Sequence, residues 1–229
     1  MRMFLNTRRS FSTTRKVASF AKWYRGLWRS KPANEPPYDH ITQVGDPVLR
    51  LKATPVPLDA ITSPEVKFLV QRMVDVMRKY DGVGLAAPQI GISLRVLVMG
   101  FDEKSKKEYT ESERKIKGMK TLPLTVLINP EMKIKNYDKI CFPEACMSVR
   151  GYSAEVTRYA EVSLTGFDET GVSRQLTLEG WNARIAQHEM DHLNGIVYTD
   201  VMNPKTFTCT CWEAVNRHHG RVRISFHQK

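Results

Sequence analysis

The sequence predicts an α+β protein in which antiparallel β-sheets pack around one central helix bearing the pattern His-Glu-x-x-His. Three observations predict it. Helical apolar spacing is strong over two segments, Thr62–Tyr80 and Trp181–Leu193. The β-branched runs cluster before and between those helices and do not alternate with them, which argues against βαβ units. The 229 residues, 41% of them hydrophobic, suit one domain with tails.

The first segment is not part of that domain. Nine of the 35 Lys and Arg residues fall in residues 1–31, which contain no acid, so the rest of the chain carries 26 bases against 24 acids. The net charge of +11 is therefore mostly a property of one end and is no argument for nucleic-acid binding by the globular part. An Arg-, Ser- and Thr-rich, acid-free start without a continuous apolar stretch predicts an organelle transit peptide, with Arg9-Ser10-Phe11-Ser12 as a processing motif. Prolines 32, 36, 37 and 47 mark a linker. The expected organisation is 1–37 transit peptide and linker, 38–216 catalytic domain, and 217–229 basic tail. No run of 18 apolar residues exists to span a membrane. Four cysteines are too few for a disulfide scaffold in this length.

Within the domain, Asp46-Pro47 starts a short helix. Thr62-Ser63-Pro64-Glu65 starts a longer one, with Val66, Leu69, Val70, Met73, Val74 and Met77 on one face and Gly82 and Gly84 beyond its end. Leu94–Met99 and Thr125–Ile128 read as strands, and the Lys/Glu-rich residues 102–121 between them as a surface loop or insertion. Residues 152–157, 160–167 and 172–179 read as three successive strands, the last two joined by a turn at Asp168-Glu169-Thr170-Gly171. Trp181–Leu193 is a helix stopped at Asn194-Gly195. Thr206–Val215 is expected to be a final strand.

The chemistry is densest on the Trp181–Leu193 helix. His188 and His192, four residues apart, share one face, so both imidazoles can reach one ion. Glu189 lies about 100° around the helix, where it can exchange a proton without ligating. A third protein ligand is required. Glu213, 21 residues after His192, would complete an HExxH peptidase. Cys209, Cys211, His218 and His219 also lie downstream, and Cys146 lies 42 residues before His188. Spacing leaves all of these open. A second dense motif is Gly82-Val83-Gly84-Leu85-Ala86-Ala87-Pro88-Gln89. It fits a dinucleotide-binding glycine pattern, but a helix precedes it and Pro88 interrupts any helix following it. What is left is a backbone that a ligand can approach closely, followed by one amide side chain.

Gly82–Gln89, Glu144–Ser148 and His188–His192, in this order and at these separations, resemble the three signature motifs of the peptide deformylases. The resemblance extends over residues 38–216, and Gly180-Trp181 and Thr206-Phe207-Thr208 are most similar to animal mitochondrial members. It implies a metal, Fe(II) or Zn(II), held by Cys146, His188 and His192. It implies hydrolysis of the formyl group of N-formyl-methionyl nascent peptides by a metal-activated water, with Glu189 as general acid/base. The Gln89 side chain and the Met147 backbone N–H are implied donors to the developing oxyanion. Gly84, Val83, Ile185 and Glu144 are implied substrate contacts, with Val83 and Ile185 forming the methionine pocket. The mitochondrial ribosome and a second copy of the chain are further implied partners, and the mitochondrial matrix is the implied location.

One position departs from the family pattern: Ala145 stands where glycine is usual. If that backbone needs φ > 0, Ala costs about 1 kcal/mol or more. Otherwise the methyl faces substrate or core. This departure, with the basic tail, motivates a third reading beside deformylase and peptidase, a catalytically weak metal-bound binding protein.

Overall fold

The computed structural model describes residues 35–226, and the transit-peptide expectation and the Arg9–Ser12 motif fall outside them. The domain is anchored at its start by Tyr38, whose N–H donates to the Ile90 carbonyl. Pro47–Arg50 form a 3-10 turn, capped by the Asp46 carboxylate on the Val48 N–H.

Helix α1 spans Pro64–Lys79. Ser63 caps it through the Val66 N–H and Pro64 occupies its first turn, where no N–H is missed. The six apolar positions expected on its inner face are all buried. Strand β1 (Gly84–Ala86) follows, then β2 (Val96–Phe101), short helices α2 (Glu103–Lys106) and α3 (Glu111–Ile116), and the long strands β3 (Leu122–Ala145) and β4 (Tyr152–Phe167). β5 (Ser173–Glu179) runs directly into helix α4 (Gly180–Leu193). A two-residue strand β6 (Thr208–Cys209) and helix α5 (Trp212–Arg217) complete the described chain. The strands form one antiparallel sheet in the order β1-β2-β3-β4-β5, with β6 on the free start of β4. None of the helices among the described residues is long and apolar enough to cross a membrane.

The register shows how the site is assembled. β3 pairs with β2 from Leu122 to Ile128 and with β4 from Ile128 to Ala145, where Ala145 faces Ser153. Cys146 is therefore the first residue past the end of the longest strand, in the connection back to β4. Gly84 is held opposite Met99. α4 packs on β1, β2, β4 and β5, and ten of its fourteen residues are buried, so it is the central helix. Ala183, Ile185, Ala186, Met190 and Leu193 join Leu97, Met99, Leu127 and Leu164 in the main core.

Four expectations are corrected. Residues 102–121 are not a bare loop: Asp102 and Thr110 cap α2 and α3, the latter in a capping box with Glu113. Residues 152–167 are one strand, because Arg158 and Tyr159 continue the ladder opposite Ile140 and Lys139. Residues 130–145 are strand although no strand was expected there. Thr206–Val215 is not a strand: the chain turns after Cys209, and α5 follows. The turn at Asp168–Gly171 is as expected, with the Asp168 N–H donating to the Val172 carbonyl. The end of the basic tail that is described lies on the domain, where Tyr80 Oη donates to the Phe226 carbonyl.

Candidate metal centre

Cys146, His188 and His192 come together, each offering one donor atom, and these atoms all lie within 4.8 Å of one another. His192 Nε2 is 3.2 Å from the Cys146 sulfur. The helix supplies the two imidazoles one turn apart, and the β3–β4 connection brings the thiol to them. Ser148 donates its backbone N–H to the same sulfur at 3.4 Å, closing the connection tightly around it. Burial acts to raise the Cys146 thiol, but the facing imidazoles of His192 and His188 outweigh it and hold it well below the ordinary thiol range. A thiolate and two imidazole nitrogens at this spacing fit a divalent transition metal.

Glu144 is held by partners within the protein. It was expected to meet substrate. It borders the cavity, but its carboxylate is buried and spent on protein partners. Oε2 lies 3.0 Å from His188 Nδ1. Arg158 donates to both oxygens, at 2.9 and 3.0 Å, and Arg184 donates to Oε1 at 2.7 Å. Burial pushes the Glu144 carboxyl up, but His188 and Arg158 pull it further down, to about 2, so it is a carboxylate. Taking the His188 Nδ1 hydrogen turns Nε2 toward the thiol, the usual orientation for a metal-ligating histidine. Neither arginine was foreseen as part of the site. Arg184 carried a signal: it lies four residues before His188, on the same face of a helix whose neighbours are apolar.

Glu189 is 4% exposed, and its Oε2 has no hydrogen-bond partner among the described residues. Burial raises its carboxyl to about 7. Gly84 lies directly against it: a Cβ there would sit 2.4 Å from Glu189 Oε1. Gln89, also buried, accepts the Ala86 N–H with its Oε1 at 2.9 Å. That orients its Nε2 toward Cys146 (3.7 Å) and the Ser148 hydroxyl (3.3 Å). The Met147 carbonyl is held by Gln43 Nε2 at 3.0 Å, a contact the sequence did not disclose.

A cavity of about 400 Å³ opens over these groups, with Val83, Gly84, Met147, Trp181 and Ile185 among its walls. Ile185 belongs to both the cavity and the main core. Trp181 was not foreseen as a wall. Ala145 has no positive φ, is exposed, and borders this cavity, so its methyl faces the substrate side and costs no backbone strain. Another cavity of about 480 Å³, between α1 and α2, contains none of the metal donors. Glu213, the third ligand of the peptidase reading, is exposed on α5 and forms no donor group with the histidines.

Residues 38–208 match the family model described as polypeptide deformylase. Over 182 residues the chain is 42% identical to the mitochondrial peptide deformylase of Homo sapiens, covering 80% of this chain and 75% of that protein. It is 40% identical over 197 residues to peptide deformylase 1A, chloroplastic/mitochondrial, of Arabidopsis thaliana, covering 86% and 72%. Among solved structures it is similar to a class I type b peptide deformylase from Acinetobacter baumannii bound to Met-Ala-Ser. The TM-score is 0.63 and the identity 28%, over 71% of this chain and 96% of that one. The peptide deformylase of Thermotoga maritima is similar at TM-score 0.59 and 34% identity, over 72% and 97%.

Proposed function

The chain belongs to the polypeptide deformylase family, and from that premise we propose that Cys146, His188 and His192 hold its single divalent metal and that Glu189 moves the proton. The protein is a hydrolase that removes the N-formyl group from nascent peptides, as its family does. That identity sets aside the peptidase reading, which also lacks its third ligand, and the reading as a binding protein without turnover.

One observation carries the assignment of roles: three donor atoms within 4.8 Å of one another stand beside a buried glutamate with an unpaired oxygen. An unpaired buried carboxylate oxygen costs roughly 1–3 kcal/mol or more, and a site that binds water and substrate there explains why it is tolerated. When bound, the ion lowers the pKa of a water and polarises the formyl oxygen. Glu189 accepts the proton of the attacking water and returns it to the departing amine. The Gln89 amide and the Met147 backbone N–H donate to the formyl oxygen as it becomes negative. Gly84 lets the peptide lie against the sheet edge, and Val83, Ile185 and Trp181 enclose the methionine side chain. Glu144 positions His188.

The thiolate-imidazole set favours Fe(II) or Zn(II). The relatives named as mitochondrial or chloroplastic and the basic first 31 residues support an organellar protein, with the mitochondrial matrix as its compartment. Arg217, Arg221 and Arg223 at the end of the chain support contact with ribosomal RNA near the nascent peptide, which pelleting with mitochondrial ribosomes at increasing salt tests.

The direct test is formate release from N-formyl-Met-Ala-Ser by protein loaded anaerobically with iron or zinc, beside Glu189→Ala. The wild type is expected to release formate, and the variant to lose about 10²–10⁴-fold in turnover at unchanged metal content. Equal turnover in the two proteins would remove Glu189 from the reaction.

A further inference from the structure

We propose that Cys209 and Cys211 form a reactive dithiol, separate from the metal centre, that takes a low-molecular-weight disulfide as its substrate and closes to an intramolecular disulfide. The two sulfurs lie 3.5 Å apart, and both side chains are half-buried and so reachable from solvent. They meet because the chain turns once β6 ends at Cys209, which brings Cys211 back beside it across Thr210. Bond formation needs a sulfur separation of about 2.05 Å. The gap is within the reach of side-chain rotation in a turn that α5 only begins to fix at Trp212.

The reaction balances within the pair. The Cys209 thiolate attacks one sulfur of the small disulfide, the S–S bond breaks, and one small thiol leaves with a proton. Cys211 then loses its proton and attacks the Cys209 sulfur, expelling the second small thiol. Two protein thiols are oxidised and one disulfide is reduced to two thiols. Contact with the Cys209 sulfur pushes the Cys211 thiol above its ordinary value, which agrees with Cys211 acting second.

The other two cysteines cannot do this. Cys146 is buried against His192. Cys141 is exposed, but its side chain faces the Glu155 carboxylate at 3.9 Å and no second sulfur. Thr210, the residue between the pair, donates its N–H to the Gly151 carbonyl at 2.9 Å. Gly151 ends the β3–β4 connection that begins with Cys146, so ring closure acts on the backbone next to that connection.

The test uses the full chain loaded with zinc, equilibrated across ratios of oxidised to reduced glutathione, acid-quenched, alkylated and mapped by mass spectrometry. Cys209 and Cys211 are expected to become protected together, without a retained glutathione adduct, at a ratio about tenfold lower than Cys141 needs for its adduct. Cys211→Ser is expected to trap glutathione on Cys209, and Cys209→Ser to abolish the early protection of Cys211. Both cysteines still open to alkylation where Cys141 is modified, or each carrying its own adduct, would overturn the proposal.

Discussion

Glu144 Oε2 stands 3.0 Å from His188 Nδ1, while both oxygens of the same carboxylate are held by Arg158 and one by Arg184. One carboxylate thus orients His188, a proposed metal ligand, and pairs with two buried arginines, of which Arg158 also meets Asp191. Glu144→Gln keeps the shape and removes the charge. Metal affinity is expected to fall about 10–100-fold, with activity recovering as metal is added back. Competition with a chelator measures this, and an unchanged affinity would mean that His188 needs no such partner. Glu144→Ala should do more, since it leaves Arg158 to Asp191 and Arg184 to backbone carbonyls, at about 3–5 kcal/mol.

Gly84 and Glu189 leave no room for a methyl. In Gly84→Ala a Cβ arrives 2.4 Å from Glu189 Oε1, so the carboxylate must move or β1 must shift. Overpacking of this kind costs about 1–3 kcal/mol, and misplacing a reacting group by about 1 Å can cost 10²-fold in rate. The variant is expected to retain its metal while kcat falls about a hundredfold. A near-normal kcat would show that Glu189 does not act from where the structure places it.

Glu189 must be ionised to accept a proton. Burial raises its carboxyl to about 7, and a cation in the adjacent site pulls it down. For the loaded enzyme kcat/KM should therefore show an acidic limb at or below that value, falling about tenfold per pH unit once the carboxyl protonates. A pH-rate profile with no acidic limb down to about pH 3 would exclude Glu189 as the base.

Asp168 sets the β4–β5 turn. Its carboxylate accepts the Thr170 hydroxyl at 2.6 Å, the Thr170 and Val172 N–H groups at 2.9 and 3.0 Å, and Arg174 Nε at 2.8 Å. The Thr170 hydroxyl and these further donors hold it below the ordinary carboxylate range. A depressed folded-state pKa gives stability that is complete above the unfolded value of about 3.9 and is lost as the pH falls toward the folded one. Asp168→Ala should lower the melting temperature by about 2–4 °C per kcal/mol at pH 7. That difference should shrink steadily below about pH 4, where the wild type itself begins to lose the contribution. A difference independent of pH would place the effect in packing, not charge.

What could be read from the sequence divides along physical lines. Helices α1 and α4 were legible because one side of each meets the core, and apolar spacing records that. The far half of β3 was not. Residues 131–136 alternate between exposed and half-exposed, but Tyr137–Cys141 are all exposed and Lys, Asn and Asp fall on both faces, so the apolar alternation of Met132 and Ile134 is not sustained. The two histidine ligands were legible because four-residue spacing on a helix implies a shared face. Cys146 was not derivable from spacing, since it lies 42 residues before His188 and only the β3–β4 register decides where the end of β3 falls. Resemblance supplied Cys146 and its role. Arg158 escaped because a charged residue within a strand ordinarily reads as solvent-facing, and its pairing with Glu144 and Asp191 makes it otherwise.

Two kinds of clasp cross one seam in this protein. The hairpin of β3 and β4 meets helix α4 along a line fastened once by Glu144 and Arg158, which reach Arg184, His188 and Asp191, and again by the donors Cys146, His188 and His192. The first clasp is made of side chains and cannot be withdrawn. On the proposed assignment the second depends on an ion. A molecule emptied of that ion is expected to keep its hairpin buttoned to its helix, ready to be reloaded without refolding.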